Sequence, residues 1–258
     1  MDERVETNRR RWDEMAALHE TTYFSDADAI DDELKPFEVE ELGDVAGHRV
    51  CHLQCHLGGN SMALARLGST VMGVDFSEVA LETARRRTHD AGLDDHVQYV
   101  CSTVDDAVDA TGGGFDGVYT SWGALCWLPS IESWAQVVCA LLRPGGWVYV
   151  ADTHPHAMAL RWPGYRYGGT VAIYDDAQGD YTDADARFEH SEAWEWNHGI
   201  GEIVTALAGA GMRIAWLHEH TTVAWNLADD GLVRASDGLW HLPDSTLPLS
   251  FSLRATKQ

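Results

Sequence analysis

The chain has 258 residues, and no apolar run within it nears the ~18 residues that cross a bilayer. Its opening, MDERVETNRRRWDE, holds charge where a secretory leader needs an apolar stretch. Basic residues are scarce. Lys and Arg number 18 against 41 Asp and Glu, a formal net charge of −23. Such a field repels phosphate backbones and anionic lipid, so neither nucleic acid nor a membrane is an expected partner. No Cys-x-x-Cys pair occurs. The cysteines, Cys51, Cys55, Cys101, Cys126 and Cys139, each lie in or beside an apolar stretch. That is how small buried hydrophobes are used in a reducing compartment. Internal repeats and low-complexity linkers are missing too. The expectation is a cytoplasmic protein; a homo-oligomer stays open.

Hydrophobic residues make up 45% of the chain, enough for a full core. Residues 3–20 have helical spacing, and an acidic stretch with Pro36 follows. Strands and helices then alternate. "RVCHLQ" reads as a strand, Asn60 to Leu67 as a helix, "TVMGVD" as a strand, and Ser77 caps the next helix. "VQYVC", "FDGVYTS" and "WVYVAD" are three more strands, with a helix over Ile131–Leu142. This alternation predicts an α/β, Rossmann-like, doubly wound, mostly parallel sheet. After Asp152 the pattern breaks. Residues 153–197 are rich in Trp, Tyr, Gly and Asp and show no helical period. A helix returns at "HGIGEIVTALAGAG", followed by the strands "MRIAWLHEH" and "LPLSFSLRAT", the last expected antiparallel. The parts are an acidic N-terminal cap (1–44), a ligand-binding domain (45–152 with 198–258) and a lid-like insertion (153–197).

The segment "VCHLQCHLGGNS" offers two cysteines and two histidines close together. On a strand, Cys51, Leu53 and Cys55 point one way and His52, Gln54 and His56 the other. Tetrahedral metal binding needs convergent ligands, and no second pair follows, so no metal is expected. A strand leading into a Gly-containing loop and a helix suits a nucleotide-like ligand instead. Asp75, ending the second strand, can accept from both hydroxyls of a ribose.

The series "VCHLQCHLGG", "VMGVDFS", "VQYVCSTV", "FDGVYTSWGALCWLP" and "LLRPGGWVYVAD" resembles the class I S-adenosylmethionine-dependent methyltransferases. The likeness covers residues 45–152 and continues more loosely to the C-terminal strands. It implies S-adenosylmethionine as cofactor and methyl transfer to a small-molecule acceptor. Gln54, His56, Gly58 and Asn60 would lie against the methionine part, Asp75 on the ribose, and Phe76, Thr103 and Val104 around the adenine. Ser121 and Trp122 would meet the methionine part or the acceptor. The family carries an acid at position 52, glycines at 54 and 56, and often Asp at 103; here His52, Gln54, His56 and Thr103 stand instead, a degenerate "HLQCH" form. Two other readings are a nicotinamide-dependent oxidoreductase, whose G-x-G-x-x-G is missing, and a non-catalytic small-ligand-binding protein.

Methyl transfer from a sulfonium is a direct displacement, so catalytic groups are few. His198, at the start of a helix, and His154, after the fifth strand, are candidate proton acceptors. The aromatics Trp162, Tyr165, Tyr167, Tyr174, Tyr181, Trp194 and Trp196, with Trp12, Tyr23, Trp122 and Trp127, suggest a pocket wall for a small, partly aromatic acceptor. Of these, Tyr23, Trp122 and Trp196 are the expected acceptor contacts.

Overall fold

Side-chain alternation in the first five strands divides the apolar residues between two faces, and the molecule is layered accordingly. The computed structural model describes residues 2–23, 34–161, 171–174, 182–183, 185–227, 231–244 and 246–258. Trp162, Tyr165, Tyr167 and Tyr181 lie outside them, and Tyr174 is described by its backbone alone. The N-terminal helices are α1 (Glu3–Thr22) and α2 (Pro36–Leu42). Then come β1 (Arg49–Leu53), α3 (Gly59–Arg66), β2 (Thr70–Asp75), α4 (Glu78–Asp90), β3 (Val97–Cys101), α5 (Ala107–Thr111), β4 (Phe115–Ser121), α6 (Ile131–Leu141) and β5 (Leu142–Thr153). The remainder is α7 (Pro155–Arg161), β6 (Val171–Tyr174), β7 (Ala193–Trp196), α8 (Ile200–Gly209), β8 (Met212–His220), β9 (Thr222–Val223), β10 (Val233–Arg234), β11 (Trp240–His241) and β12 (Ser250–Lys257).

Seven strands form one sheet in the order β3-β2-β1-β4-β5-β12-β8. The pairs among β1 to β5 are parallel, and β12 runs antiparallel to both β5 and β8. The expected α/β fold is therefore present. Strand order reverses between β1 and β4, and in open parallel sheets ligands bind beyond the carboxyl ends at such a switch point.

On one face Cys51, Leu53, Val74, Val118, Val148 and Val150 pack against Ile131, Trp134 and Leu141 of α6 and Leu207 of α8. On the other face Val50, Val71, Tyr119 and Tyr149 pack against Leu42, Val45 and Leu64. Each fully buried aliphatic side chain contributes about 1.5–3 kcal/mol. Phe251, Leu253 and Ala255 of β12 join the first layer as their alternation predicts. The alternate residues Ser250 and Ser252 are not solvated, however; both are fully buried. Glu41 of α2 covers that side and accepts from Ser252 Oγ at 3.0 Å. Arg254 donates to the carbonyls of Glu41 and Leu42.

Three other features depart from the sequence reading. A short helix, α7, opens the 153–197 stretch, with Pro155 as its first residue, where its fixed φ suits a helix start. Strands β9, β10 and β11 form a small three-stranded sheet in the order β10-β11-β9. Cys55 does not share the Cys51 face. His52 pairs with Gly73, and a Cβ at Gly73 would meet Cys55 Sγ at 2.9 Å. The cause is that β1 ends at Leu53 and Gln54 turns with φ +56.

Gly58 is held by close approach. Its φ is +78, and a Cβ there would lie 2.3 Å from Tyr99 Oη. That hydroxyl is tied to Thr88 Oγ1 at 2.9 Å and cannot swing away without losing the bond. Gly58→Ala is expected to cost roughly 2–3 kcal/mol from strain and overpacking. Urea denaturation checks this; an unchanged midpoint would contradict the packing.

Candidate active site

The loop after β1 is the base of the site. Gln54 and His56 both have left-handed backbones, with φ +56 and +47. Side-chain-bearing residues there cost roughly 1–3 kcal/mol each and persist only when their surroundings hold them. Asp75 does part of the holding. Its Oδ2 accepts from the His56 N–H at 2.9 Å, and its Oδ1 from the Ser77 N–H at 2.9 Å. The Cys55 N–H donates to the Val74 carbonyl. Burial pushes the Asp75 carboxyl up to about 6, against the opposing pull of those backbone donors.

A second strained residue closes the other side. Trp122, with φ +42, follows β4. Its indole N–H donates to Glu38 of α2 at 3.1 Å, and its backbone N–H to Ala151. Glu38 is fully buried and also accepts from Tyr119 Oη at 2.7 Å. Burial pushes its carboxyl above the usual range. Asp152, at the end of β5, fixes the next turn by accepting from the Gly123 N–H at 2.7 Å; burial raises its carboxyl too.

Between these loops lies a cavity of about 310 Å³. Its wall takes Gln54 and His56 from the first loop, and Asp75 and Phe76 from the end of β2. Thr103, Val104 and Asp105 follow β3; Ser121, Trp122 and Trp127 follow β4. Trp12 of α1 and Tyr23, which caps that helix, form the roof. Trp12 meets Trp127 edge-on at 5.2 Å and His56 at 5.2 Å. His19 of α1 is fully buried; its Nδ1 lies 2.9 Å from His56 Nε2, within one shared hydrogen bond. Tyr23 stacks on His19 at 4.5 Å.

Of the residues expected at a cofactor, Gln54, His56, Asp75, Phe76, Thr103, Val104 and Ser121 reach the wall. Gly58 and Asn60 do not line it. Gly58 caps α3, and Asn60 Nδ2 donates to Tyr119 Oη and Ser121 Oγ, so it positions Ser121. Of the expected acceptor contacts, Tyr23 and Trp122 line the cavity. Trp196 does not; it is buried, with the Arg4 guanidinium 5.3 Å over its ring. Neither candidate histidine lines the cavity. His198 Nε2 donates to the Leu128 carbonyl at 2.8 Å. His154 Nε2 donates to Glu219 at 3.0 Å, and burial with neighbouring His156 lowers its basicity. His52 is buried against Ser61 Oγ, and burial drops it to about 3, so it is neutral. Among the described residues, no group of three or more His, Cys, Asp or Glu is arranged to hold a metal. No helix among them is long and apolar enough to cross a membrane.

Sequence reasoning missed His19, Glu38 and Asp152. Asp152 ended a legible strand on the ligand side, a usable signal. Glu38 is one acid among several in "FEVEEL", and His19 meets His56 only through the tertiary fold.

Residues 50–146 match the model of a methyltransferase domain family. Residues 50–146 are a methyltransferase domain. A ubiquinone biosynthesis O-methyltransferase from Thiobacillus denitrificans is 33% identical over 119 residues, 46% of this chain and 50% of that protein. A 24-methylenesterol C-methyltransferase 2 from Oryza sativa subsp. japonica is 33% identical over 125 residues, 44% of this chain and 34% of the relative. The chain thus spans about half the length, or less, of these curated relatives. A magnesium protoporphyrin IX methyltransferase from Synechocystis PCC 6803, solved with S-adenosylhomocysteine bound, superposes with a TM-score of 0.59. It is 14% identical, with 97% of each chain covered, so the likeness is one of fold.

The methyltransferase domain's cavity fits its family's cofactor. Gln54 Oε1 is buried with no partner among the described residues, although the amide nitrogen donates to the Ala124 carbonyl at 2.8 Å. A buried acceptor left unpaired is costly, and the α-ammonium of the cofactor is a matching donor. Asp75 can accept ribose hydroxyls with its remaining lone pairs. The sign of the pH effect follows. A ribose hydroxyl donates to a carboxylate, so binding favours ionised Asp75, and the unliganded group is ionised only above about pH 6. Affinity for S-adenosylhomocysteine should be level above about pH 7 and fall about tenfold by pH 5. Asp75→Ala should flatten that step. Calorimetry across this range is the check, and a level wild-type profile would take the carboxylate off the ribose.

Proposed function

We propose that the chain is an S-adenosylmethionine-dependent methyltransferase acting on a small, partly aromatic acceptor. The carrying observation is that one cavity runs across the carboxyl ends of β3, β2, β1 and β4. Three strand spacings make ~14 Å, a length that suits an extended nucleoside joined to an amino acid. With the ribose on Asp75, the purine lies toward β3 and the methionine part toward Gln54 and Ser121. When bound, the cofactor supplies an electrophilic methyl group on a positive sulfur. The protein then has to align the acceptor, exclude water and take a proton where the acceptor carries one.

Trp12, Tyr23, Trp122 and Trp127 supply flat apolar walls for the acceptor, with Trp12 and Trp127 in edge-on contact. The relatives include both an O- and a C-methyltransferase. Oxygen is the reading favoured here, because an imidazole is at hand for a hydroxyl proton. That imidazole is His56, which lines the cavity and can pass charge to His19 through their 2.9 Å contact. His198 takes a positioning role, holding Leu128 of the cavity wall through its carbonyl.

Mass spectrometry of ligand released from purified protein tests the proposal. S-adenosylmethionine or S-adenosylhomocysteine is expected; a retained nicotinamide dinucleotide would overturn it. Once an acceptor is found, His56→Ala should lower turnover at saturating cofactor by about 10²–10⁴-fold. His198→Ala should act mainly on KM and leave turnover near the wild-type value. The reverse pattern would return the base to His198.

A further inference from the structure

Beside the cavity, near the loop after β3, lies a buried donor that the methyltransferase reading leaves unused. Trp134 of α6 is 1% exposed, yet it lines the cavity, and its indole N–H meets no acceptor among the described residues. Indole nitrogen can only donate, and buried donors are nearly always paired. The neighbouring group that would otherwise read the purine is already committed. Thr103 Oγ1 donates to Asp106 at 2.7 Å and accepts from the Asp106 N–H at 3.2 Å, which turns it into its own loop. Ser133, the residue before Trp134, donates to Asp105 at 2.7 Å and ties α6 to the loop after β3. Ser133 and Asp105 line the cavity as well. Trp134 is therefore held at the end where a ribose on Asp75 would direct the base.

We propose that Trp134 is a specificity-determining residue whose indole N–H donates to a ring nitrogen of the cofactor's purine. A purine ring nitrogen is an acceptor in the ring plane, and its replacement by C–H removes that acceptor with almost no change in shape. A site that offers a buried donor penalises the analogue that cannot accept. The assignment rests on the S-adenosylmethionine reading, and the experiment separates the two.

Calorimetry compares S-adenosylhomocysteine with its 1-deaza, 3-deaza and 7-deaza purine analogues, on wild type and on Trp134→Phe. Phe keeps an aromatic ring in the core and removes the N–H; a thermal melt verifies folding. In wild type, at least one analogue should bind about three- to tenfold more weakly. Trp134→Phe should weaken S-adenosylhomocysteine by a similar factor, and that analogue should then carry no further loss. On wild type labelled with ¹⁵N at tryptophan, one indole N–H resonance should move with S-adenosylhomocysteine and not with that analogue. If wild type fails to bind S-adenosylhomocysteine, the cofactor reading falls and this assignment with it. If it binds, but all three analogues bind equally or the loss persists undiminished in a folded Trp134→Phe, the purine assignment alone is overturned. So it is too if no indole resonance distinguishes the ligands, whether or not the variant folds.

Discussion

The site depends on a left-handed turn made by residues that carry side chains. Gln54 and His56 adopt backbone angles that glycine adopts without strain. The turn is held in place by Asp75, which binds the His56 N–H, and by Gly58, where Tyr99 leaves no room for a Cβ. Two consequences follow. The carboxamide of Gln54 is directed into the cavity rather than along the strand. The ring of His56 rises toward α1, where His19, Tyr23 and Trp12 gather around it. The roof and the floor of the cavity are thus joined through one strained loop.

Buried carboxyls support the same space from below. Glu38 joins α2 to Tyr119 and Trp122, and Asp152 fixes the turn at Gly123. Burial raises both groups, and both are paired with hydrogen-bond donors. Truncating either would leave buried donors unpaired, which costs more than the bond itself is worth. The N-terminal segment is therefore part of the site, since α1 provides the roof and α2 holds the Trp122 wall.

The sheet was legible because its signal is periodic. Strands such as "TVMGVD" and "VQYVC" carry their own pattern, and Ser77 caps α4 with its side chain as expected, accepting from the Ala80 N–H at 3.1 Å. Asp75 could be picked out because a strand end in such a sheet is a position with a chemical meaning. What stayed hidden was determined by distant parts of the chain. Nothing local shows that Cys55 leaves the Cys51 face, because the turn at Gln54 occurs without a glycine. Nothing local shows that α2 would bury the serines of β12, or that His198 would spend its ring on Leu128. The aromatics were visible as a group, but their division into wall and core depended on which element packed above them: Trp12 and Trp127 line the cavity, and Trp196 lies behind it.

The central claim is that the turn at Gln54 and His56, with Asp75 beneath it, holds an S-adenosyl amino acid and not a dinucleotide. Gln54 Oε1, unpaired among the described residues, is an acceptor that matches an α-ammonium and opposes the acceptor oxygens of a dinucleotide's pyrophosphate. Competitive titration of the wild-type protein with S-adenosylhomocysteine and NAD measures the difference directly. One equivalent of S-adenosylhomocysteine should bind and remain bound in the presence of excess NAD. Binding of NAD that displaces S-adenosylhomocysteine, or that occurs without it, would contradict the account.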